Sequence, residues 1–231
     1  MYVKLNQFVR LRQKQYNNIG AFAFYYERAF CMKNLNKETI NWYNKNAEDY
    51  FKETNILPMK DKYPQFLQYI PQGGKILDAG CGSGRDAKYF YDMGYHITAF
   101  DASEELGKLA RKKTGLNIIN TTFADFTSEE TFDGIWASAS LLHVPKKEFD
   151  ASFSNLIKHL KKDGILYASM KYGNNEAKDS KGRFFNYVTC DELKNIFAKY
   201  NNIELIELSQ ESENTFRVGD FPFIIFILKK T

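Results

Sequence analysis

The segment ILDAGCGSGRD, residues 76–86, places three glycines within five residues directly after a short apolar run. Glycine at this density is typical of a turn in which the backbone needs positive φ angles or lies against a ligand. The apolar run before it predicts the end of a buried strand, and the residues after it have helical spacing. Such a strand-to-helix turn points free backbone N–H groups at a bound polar group. An ordinary tight turn is the alternative interpretation.

Three aspartates accompany this turn. Asp78 precedes the glycines, Asp101 ends the next predicted strand, and Asp125 follows the third. A carboxylate at the position of Asp101 can accept hydrogen bonds from both ribose hydroxyls of a nucleoside. Each aspartate alone is compatible with a loop or a cap, but the three together favour a nucleoside site. Arg85 stands where the dinucleotide fingerprint G-x-G-x-x-G has its third glycine, which counts against a nicotinamide cofactor.

The elements that must position these residues alternate between strands and helices. Apolar patterns predict strands at 75–79, 96–100, 116–120, 132–138 and 165–170, and helices at 38–54, 86–93, 103–114, 147–162 and from the capping box at Thr189. Two last strands, near 203–207 and 223–228, have no helix between them and are expected to pair as a hairpin. The pattern predicts an α/β fold: a doubly wound, mostly parallel seven-stranded sheet with helices on both faces and a C-terminal antiparallel hairpin.

The charge is distributed unevenly along the chain. Of the 231 residues 44% are hydrophobic and 26% charged, as expected for one globular domain with an additional element. Residues 1–31 hold five basic residues and one acidic residue, so residues 32–231 carry 27 of each. We therefore predict a basic, aromatic N-terminal extension at 1–31 and a balanced domain at 32–231. The sequence leaves open whether the extension packs as an added helix.

Several classes of protein are disfavoured. The three cysteines, Cys31, Cys81 and Cys190, are scattered, which supports neither a disulfide framework nor a metal site. The longest apolar run, residues 221–228, is far shorter than the ~20 residues that span a bilayer and is better interpreted as a buried strand. Without a signal-peptide pattern, we expect a cytoplasmic protein that does not bind a membrane. The sequence does not indicate an oligomeric state.

In their order and spacing, the segments ILDAGCGSGRD, ITAFDAS, TFADF, TFDGIWASASLLHVP and LKKDGILYASM resemble those of class I S-adenosylmethionine-dependent methyltransferases. The resemblance runs from about Tyr43 to Leu228, and within the family it is nearest to small-molecule enzymes, including the tellurite-resistance type. It implies S-adenosylmethionine as the cofactor, with its methionine part at the glycine turn, its ribose on Asp101 and its adenine amino group on Asp125. The cofactor residues that it implies are Asp78, Gly80, Cys81, Gly82, Gly84, Asp101, Ala102, Asp125, Phe126 and Ser138, with Ala102 and Phe126 flanking the adenine ring.

Methyl transfer from a sulfonium is an in-line displacement, which requires alignment of the reacting atoms and exclusion of water. A general base is needed only for an acceptor that arrives protonated. His143 follows the fourth predicted strand, whose carboxyl end lies beside the cofactor, so we expect it to position or deprotonate the acceptor. The alternative is that His143 only bonds to loop backbone before Pro145.

The acceptor is expected to be a small molecule. The fourth strand is followed by Ser-Ala-Ser-Leu, residues 138–141, instead of the Pro-Pro motif of many nucleic-acid amino methyltransferases, and no proline precedes a cysteine. An RNA or protein methyltransferase and a non-catalytic cofactor-binding protein remain as alternatives. Tyr43, on the first helix, and the basic residues Lys171 and Arg183 are candidate acceptor contacts. Core packing for the tyrosine and solvated charges for the two basic residues are the competing interpretations.

Overall fold

A mixed sheet of seven strands is the centre of the protein, for which a computed structural model describes residues 37–55, 59, 61–211 and 222–231. The strands are β1 Lys75–Ala79, β2 His96–Asp101, β3 Ile118–Asn120, β4 Phe132–Ser138, β5 Leu160–Lys171, β6 Glu176–Lys178, β7 Phe184–Asn186, β8 Ile203–Gln210 and β9 Phe223–Lys230. The large sheet has the order β3-β2-β1-β4-β5-β9-β8, and β6 and β7 form a separate hairpin. Strands β1 to β5 run parallel, while β9 is antiparallel to both of its neighbours. The fold predicted from the sequence is confirmed, whereas the β6–β7 hairpin was not predicted.

The helices surround this sheet. They are α1 at residues 37–45, α2 Ala47–Thr54, α3 Tyr63–Leu67, α4 Arg85–Asp92, α5 Glu104–Thr114, α6 Lys146–His159 and α7 Cys190–Phe197, with one 3-10 turn at Leu141–His143. Within the described residues, all those after Lys37 belong to one compact unit. The extension predicted at 1–31 and its boundary at residue 32 lie outside the part of the chain that the structure describes.

Several predicted element boundaries were wrong, including the start of β5, which is Leu160 instead of residue 165. The helix predicted over 38–54 is interrupted at Asn46, whose φ of −113° and ψ of 19° are not helical. The Asn46 side chain donates to the carbonyl of Trp42 over 2.8 Å, a local bond of the kind that competes with helical geometry. Helix α6 ends at His159 instead of residue 162, because Leu160 already pairs with Phe132 at an irregular point of the β4–β5 ladder.

Buried side chains pack against both faces of the sheet. On one face Trp136 and Tyr167 stack with 3.9 Å between ring centroids and pack against Phe66 of α3. On the other face Ala168 lies in the same buried cluster as Phe153 of α6. This alternation follows from the two-residue period of a strand, and it directs every second residue of β4 and β5 toward the same side. On the first face, every second side chain of β4 and β5 therefore points the same way, up to the carboxyl ends of these strands.

The apolar run near the C-terminus forms strand β9, whose central residues Ile224–Leu228 are buried, as the sequence predicted. Its hydrophobic side chains contribute to both core layers. Among the helices that the structure describes, none combines the length and apolar character that a membrane span requires.

Candidate active site

The glycine turn joins β1 to α4. Gly80, Gly82 and Gly84 have φ angles of 78°, 54° and 72°, which is the left-handed region that favours glycine. A Cβ atom on Gly80 would lie 2.5 Å from Cβ of Ser140, and one on Gly84 would lie 2.9 Å from Cγ2 of Thr114. A Cβ on Gly82 would meet only the Tyr50 ring, at 3.8 Å. Two of the glycines are thus required by close packing, while the third leaves bare backbone beside open space.

That open space is a cavity of about 220 Å³ at the carboxyl ends of β1, β4 and β5, where doubly wound folds bind their ligands. Several residues that the sequence assigned to the cofactor or to the acceptor line it: Asp78, Gly80, Cys81, Gly82, Ser138, Tyr43, His143, Lys171 and Arg183. Gly84, Asp101, Ala102, Asp125 and Phe126 do not line it.

Asp101 connects the glycine turn to the start of α5. One carboxylate oxygen accepts a hydrogen bond from the Gly82 N–H at 2.7 Å, and the other accepts one from the Ser103 N–H at 2.8 Å. Burial raises the pKa of Asp101, and these two backbone bonds oppose the rise. Because each carboxylate oxygen accepts about two hydrogen bonds, both retain capacity for a ligand donor.

The remaining residues of the expected adenosine side differ in exposure. Ala102 is half-buried, and its carbonyl accepts a hydrogen bond from the Asn120 side chain at 3.1 Å. Asp125 is exposed, and its carboxylate accepts from the Thr122 hydroxyl at 2.7 Å. Phe126 is only 1% exposed and stacks on Phe100 with 4.8 Å between centroids. The expectation that the Phe126 ring flanks adenine is therefore corrected: this ring fills the core beneath the strand ends.

Asp78 is a buried carboxylate, 2% exposed, in the cavity wall. Its Oδ2 atom has no hydrogen-bond partner among the described residues. Burial, together with the nearby charge of Asp86, holds the pKa of Asp78 well above its usual range. An unpaired buried carboxylate oxygen costs free energy unless a ligand donor reaches it.

Asp86 lies beneath the turn and is fully hydrogen-bonded. It accepts from Nε of Arg85 at 2.6 Å, from the Tyr63 hydroxyl at 2.7 Å and from Nε1 of Trp136 at 2.8 Å. Burial would raise the pKa of Asp86, but these donors outweigh it and lower the pKa. The arrangement supports the turn from below. Tyr63 and Trp136 were not predicted from the sequence, because there both look like ordinary core residues.

Ser138 and Cys81 complete the wall near the turn. Ser138 ends β4, and the next residue, Ala139, has a φ of 49°, which is unusual for a residue with a side chain. The Ala139 N–H donates to Oγ of Ser169, on β5, at 2.8 Å. Burial raises the pKa of the Cys81 thiol, with the charge of Asp78 as the next cause. Ser169 was not predicted, although it lies in the row of β5 that also carries Lys171.

His143 has both ring nitrogens engaged. Nδ1 lies 2.6 Å from the carbonyl oxygen of Phe184, and Nε2 lies 2.8 Å from the Tyr43 hydroxyl. A carbonyl only accepts, so Nδ1 carries the hydrogen and the lone pair of Nε2 accepts from Tyr43. Burial is the main cause that lowers the pKa of His143 to about 4. The ring is therefore neutral at pH 7 with its lone pair in use, which fits holding Tyr43 in place and does not fit direct deprotonation of an acceptor.

Arg183 and Lys171 bring positive charge to the far end of the cavity. The Arg183 guanidinium binds Asp179 through Nη2 at 2.7 Å and approaches the Tyr43 hydroxyl through Nη1 at 3.5 Å. Its carbon Cζ lies 5.3 Å from the centroid of the Phe185 ring, and Nζ of Lys171 lies 4.2 Å from the same centroid. Sequence reasoning missed Asp179 and Phe185 because the hairpin that carries this segment was not predicted.

A second side of the cavity is apolar and ends at an ion pair. Lys62 pairs with Glu211, and both side chains are nearly buried. Burial lowers the pKa of Lys62. The other residues on this side are Met59, Tyr167, Phe223 and Ile225. None of these residues had a signal in the sequence beyond its hydrophobic or charged character.

Comparison with known proteins shows the family to which the chain belongs. Residues 51–203 match the model of a methyltransferase domain family. A ubiquinone biosynthesis O-methyltransferase of Actinobacillus pleuropneumoniae is 30% identical over 156 residues, which cover 60% of this chain and 66% of that protein. The chain thus aligns with just under two thirds of this relative's length.

Solved structures show the same fold. The 1,6-didemethyltoxoflavin-N1-methyltransferase of Burkholderia thailandensis, crystallised with S-adenosylhomocysteine, is 18% identical with a TM-score of 0.68, covering 85% of this chain and 87% of its own. The [4+2]-cyclase SpnF is also 18% identical, with a TM-score of 0.60 and coverage of 72% and 78%.

The sheet order, the glycine turn and the aspartate that ends β2 define the class I methyltransferase fold. Because the family model matches more than half of the chain, the chain belongs to the methyltransferase domain family. The matched region is an S-adenosylmethionine-dependent methyltransferase domain, as the sequence resemblance indicated.

Proposed function

We propose that the protein transfers the methyl group of S-adenosylmethionine to a small-molecule acceptor held in the cavity between the glycine turn and Lys171. The observation that carries this proposal is the lining of the cavity. One end presents the bare backbone of Gly82 and the unpaired oxygen of Asp78, and the other end presents Tyr43 and two cations. A site with these two ends suits a cofactor and a compact acceptor side by side.

For the cofactor, the proposal combines residues of the cavity wall with residues at the neighbouring ends of β2 and β3. Asp101 would accept the ribose hydroxyls, Asp78 would accept from the amino group of the methionine part, and Gly82 would pack against it. Asp125 and Ala102 would meet the adenine, and Ser138 and Cys81 would complete the wall. When bound, S-adenosylmethionine supplies a methyl group on a positively charged sulfur. Gly80 and Gly84 act through the turn itself, because neither position tolerates a Cβ atom.

In this proposal the protein's own residues align the two reactants and exclude water from the cavity. The rings of Tyr43 and Tyr50 meet edge to face with 5.0 Å between centroids and both line the cavity, with Tyr50 beside Gly82. Holding two reactants in line and excluding water accounts for most of what such a displacement needs from a protein. Tyr43 is in turn held by His143, so that both act as positioning residues in this proposal.

The experiment is a transfer assay with radiolabelled S-adenosylmethionine and three acceptor pools: small phenols, carboxylic acids and N-heterocycles; bulk RNA; and a protein lysate. We expect label only in the first pool. Label in RNA or protein would favour those acceptors instead. Binding of S-adenosylhomocysteine without any transfer would favour a non-methylating role, which the fold permits, since SpnF shares it.

Calorimetry provides the matching binding test. We expect S-adenosylmethionine and S-adenosylhomocysteine to bind with micromolar affinity, about 8 kcal/mol, and NAD to bind far more weakly. Tight NAD binding without a response to S-adenosylmethionine would overturn the proposal. The extension at 1–31 and the cytoplasmic location stay predictions. The extension is tested by whether a chain that starts at Met32 binds S-adenosylhomocysteine normally.

A further inference from the structure

The segment that joins β2 to α5 carries Asp101, the proposed ribose contact, into the first turn of a helix. Ser103 is the N-cap of α5, and its hydroxyl accepts a hydrogen bond from the Leu106 N–H at 3.2 Å. The N–H of the same serine donates to one carboxylate oxygen of Asp101 at 2.8 Å. The position of that oxygen therefore depends on where the N-cap residue lies.

Asn44 of α1 holds this helix start from a different element. Its Oδ1 atom accepts a hydrogen bond from the Ser103 hydroxyl at 2.7 Å and another from the Glu105 N–H at 3.2 Å. A backbone N–H only donates, so the Asn44 atom that faces it is the amide oxygen. The Ser103 hydroxyl already accepts from Leu106, and its single hydrogen is directed to Asn44. Both hydrogen bonds to Asn44 thus have defined directions.

The backbone on either side of Ala102 is held by different residues. The carbonyls of Asp101 and Ala102 accept from the Asn120 side chain at 3.0 Å and 3.1 Å, so β3 fixes the strand side of the segment. Asn44 binds the helix side, at Ser103 and the residue two positions later. The helix side is therefore the part of the segment that depends on α1.

Removing the Asn44 amide has a consequence for the carboxylate. Ser103 is buried, so a hydroxyl without its acceptor costs free energy and favours a shift of the N-cap. Because the N–H of the same residue binds Asp101, such a shift moves the carboxylate as well. Asn44 itself is half-buried and is not among the described residues that line the cavity, although its neighbour Tyr43 is.

We propose that Asn44 is a positioning residue for the cofactor: through Ser103 it sets the Asp101 carboxylate where the ribose hydroxyls meet it. This inference rests on the proposed function, which assigns the ribose to Asp101, and it adds a residue of α1 to that assignment. A carboxylate that accepts from two neighbouring hydroxyls must be held to within about 0.5 Å, because hydrogen bonds weaken steeply when they are misaligned.

The test compares S-adenosylhomocysteine with its 2′-deoxy analogue, which lacks one ribose hydroxyl, by calorimetry on the full chain. The ratio of the two dissociation constants measures the contribution of that hydroxyl. We expect a ratio of about tenfold or more in the unmodified protein and below about threefold in Asn44→Ala, because the carboxylate is no longer held in place. A ratio near one in the unmodified protein would remove the ribose from Asp101 and overturn the inference, as would an unchanged ratio in Asn44→Ala.

Two further variants separate positioning from packing. Asn44→Asp keeps an oxygen acceptor at this position and should retain the ratio of the unmodified protein. Asn46→Ala is the matched control, because Asn46 lies two residues further along and bonds to the Trp42 carbonyl of its own helix. It should also retain the ratio, even where its melting temperature falls. Equal losses in Asn46→Ala and Asn44→Ala would assign the effect to the packing of α1, and loss of the ratio in Asn44→Asp would exclude the oxygen as its cause. Either result would overturn the inference.

Hydrogen exchange examines the same link without a ligand. The Ser103 N–H should exchange about tenfold faster in Asn44→Ala than in the unmodified protein, because its bond to Asp101 is weakened, and at the original rate in Asn46→Ala. If the unmodified protein does not bind S-adenosylhomocysteine, the proposed function fails. If it binds that ligand and the exchange of the Ser103 N–H is the same in Asn44→Ala, this inference alone fails.

Discussion

Tyr43 and His143, one hundred residues apart in the chain, are joined by a hydrogen bond of 2.8 Å in which the tyrosine hydroxyl donates to Nε2 of the imidazole. The opposite ring nitrogen donates to the carbonyl of Phe184 in the β6–β7 hairpin. The first helix, the segment after β4 and the hairpin therefore meet at one neutral histidine. Of the two roles expected for His143, positioning or deprotonation of the acceptor, this relationship favours positioning through Tyr43.

The first prediction concerns stability against pH. In the unfolded chain His143 binds a proton below about pH 6.5, whereas in the folded protein it does so only below about pH 4. Between these values the unfolded state holds more protons, so the free energy of unfolding rises as pH rises through this window. His143→Gln should reduce that rise by about 1 to 3 kcal/mol in denaturant titrations. His96→Gln, at an exposed strand end, is the control, and identical slopes in all three proteins would contradict the burial of a neutral His143.

A second prediction separates support from catalysis at the same residue. Because the lone pair of Nε2 is already used by Tyr43, His143→Gln should lower kcat by less than about tenfold, whereas loss of a general base typically costs 10² to 10⁴. A loss of about 10² with a changed pH profile would show that His143 takes the proton after all.

The third prediction concerns the ribose contact. Asp101→Asn should weaken S-adenosylhomocysteine binding by about 1 to 3 kcal/mol in calorimetry, because a charged hydrogen-bond acceptor is lost in a buried position. Asp125→Asn should have a smaller effect, since Asp125 is exposed and already accepts from Thr122. Equal losses in both variants would mean that the two ends of the adenosine site are misassigned.

How well the sequence predicts a structural feature depends on how far apart in the chain the interacting residues lie. The N-cap of Ser103 on Leu106 and the capping box of Thr189 are confirmed, because a few neighbouring residues determine them. The positive φ angles of the glycine turn are confirmed for the same reason.

Contacts between distant segments were harder to foresee. Phe126 was assigned to the adenine ring, yet tertiary packing places it on Phe100. The pairing of Lys62 with Glu211 joins residues 149 positions apart, and no local pattern reports it. Arg183 was recognised as a cation, but Asp179, which orients it, became visible only with the hairpin.

The fourth prediction is an opposition between stability and binding at Asp78. Its raised pKa means that ionisation near neutral pH costs folding free energy, because the folded state prefers the protonated form. Asp78→Asn should therefore raise the free energy of unfolding of the ligand-free protein by about 0.5 to 2 kcal/mol. The same variant should weaken S-adenosylmethionine binding at least tenfold, or about 1.4 kcal/mol, since the amino group of the ligand loses its carboxylate.

Asp92→Asn is the control for that variant, because Asp92 lies at the exposed end of α4 in an ion pair with Lys88. It should change either quantity by less than about 0.5 kcal/mol. An Asp78→Asn protein that is less stable and binds the ligand unchanged would mean that Asp78 serves the turn instead of the cofactor.

The last prediction uses two glycines with similar backbone and different surroundings. Gly82 has a φ of 54° and faces the cavity, where the Tyr50 ring would be the nearest neighbour of a Cβ atom. Gly115 has a φ of 73° at the end of α5, and a Cβ atom there would have nothing within 4 Å. Alanine at either position should cost about 1 to 2 kcal/mol of stability, because a side chain is strained in the left-handed region. Only Gly82→Ala should also weaken S-adenosylhomocysteine binding, since its methyl group projects into the space proposed for the methionine part. Calorimetry and denaturation of both variants measure the two effects separately, and equal ligand affinity in the two would place the cofactor away from the glycine turn.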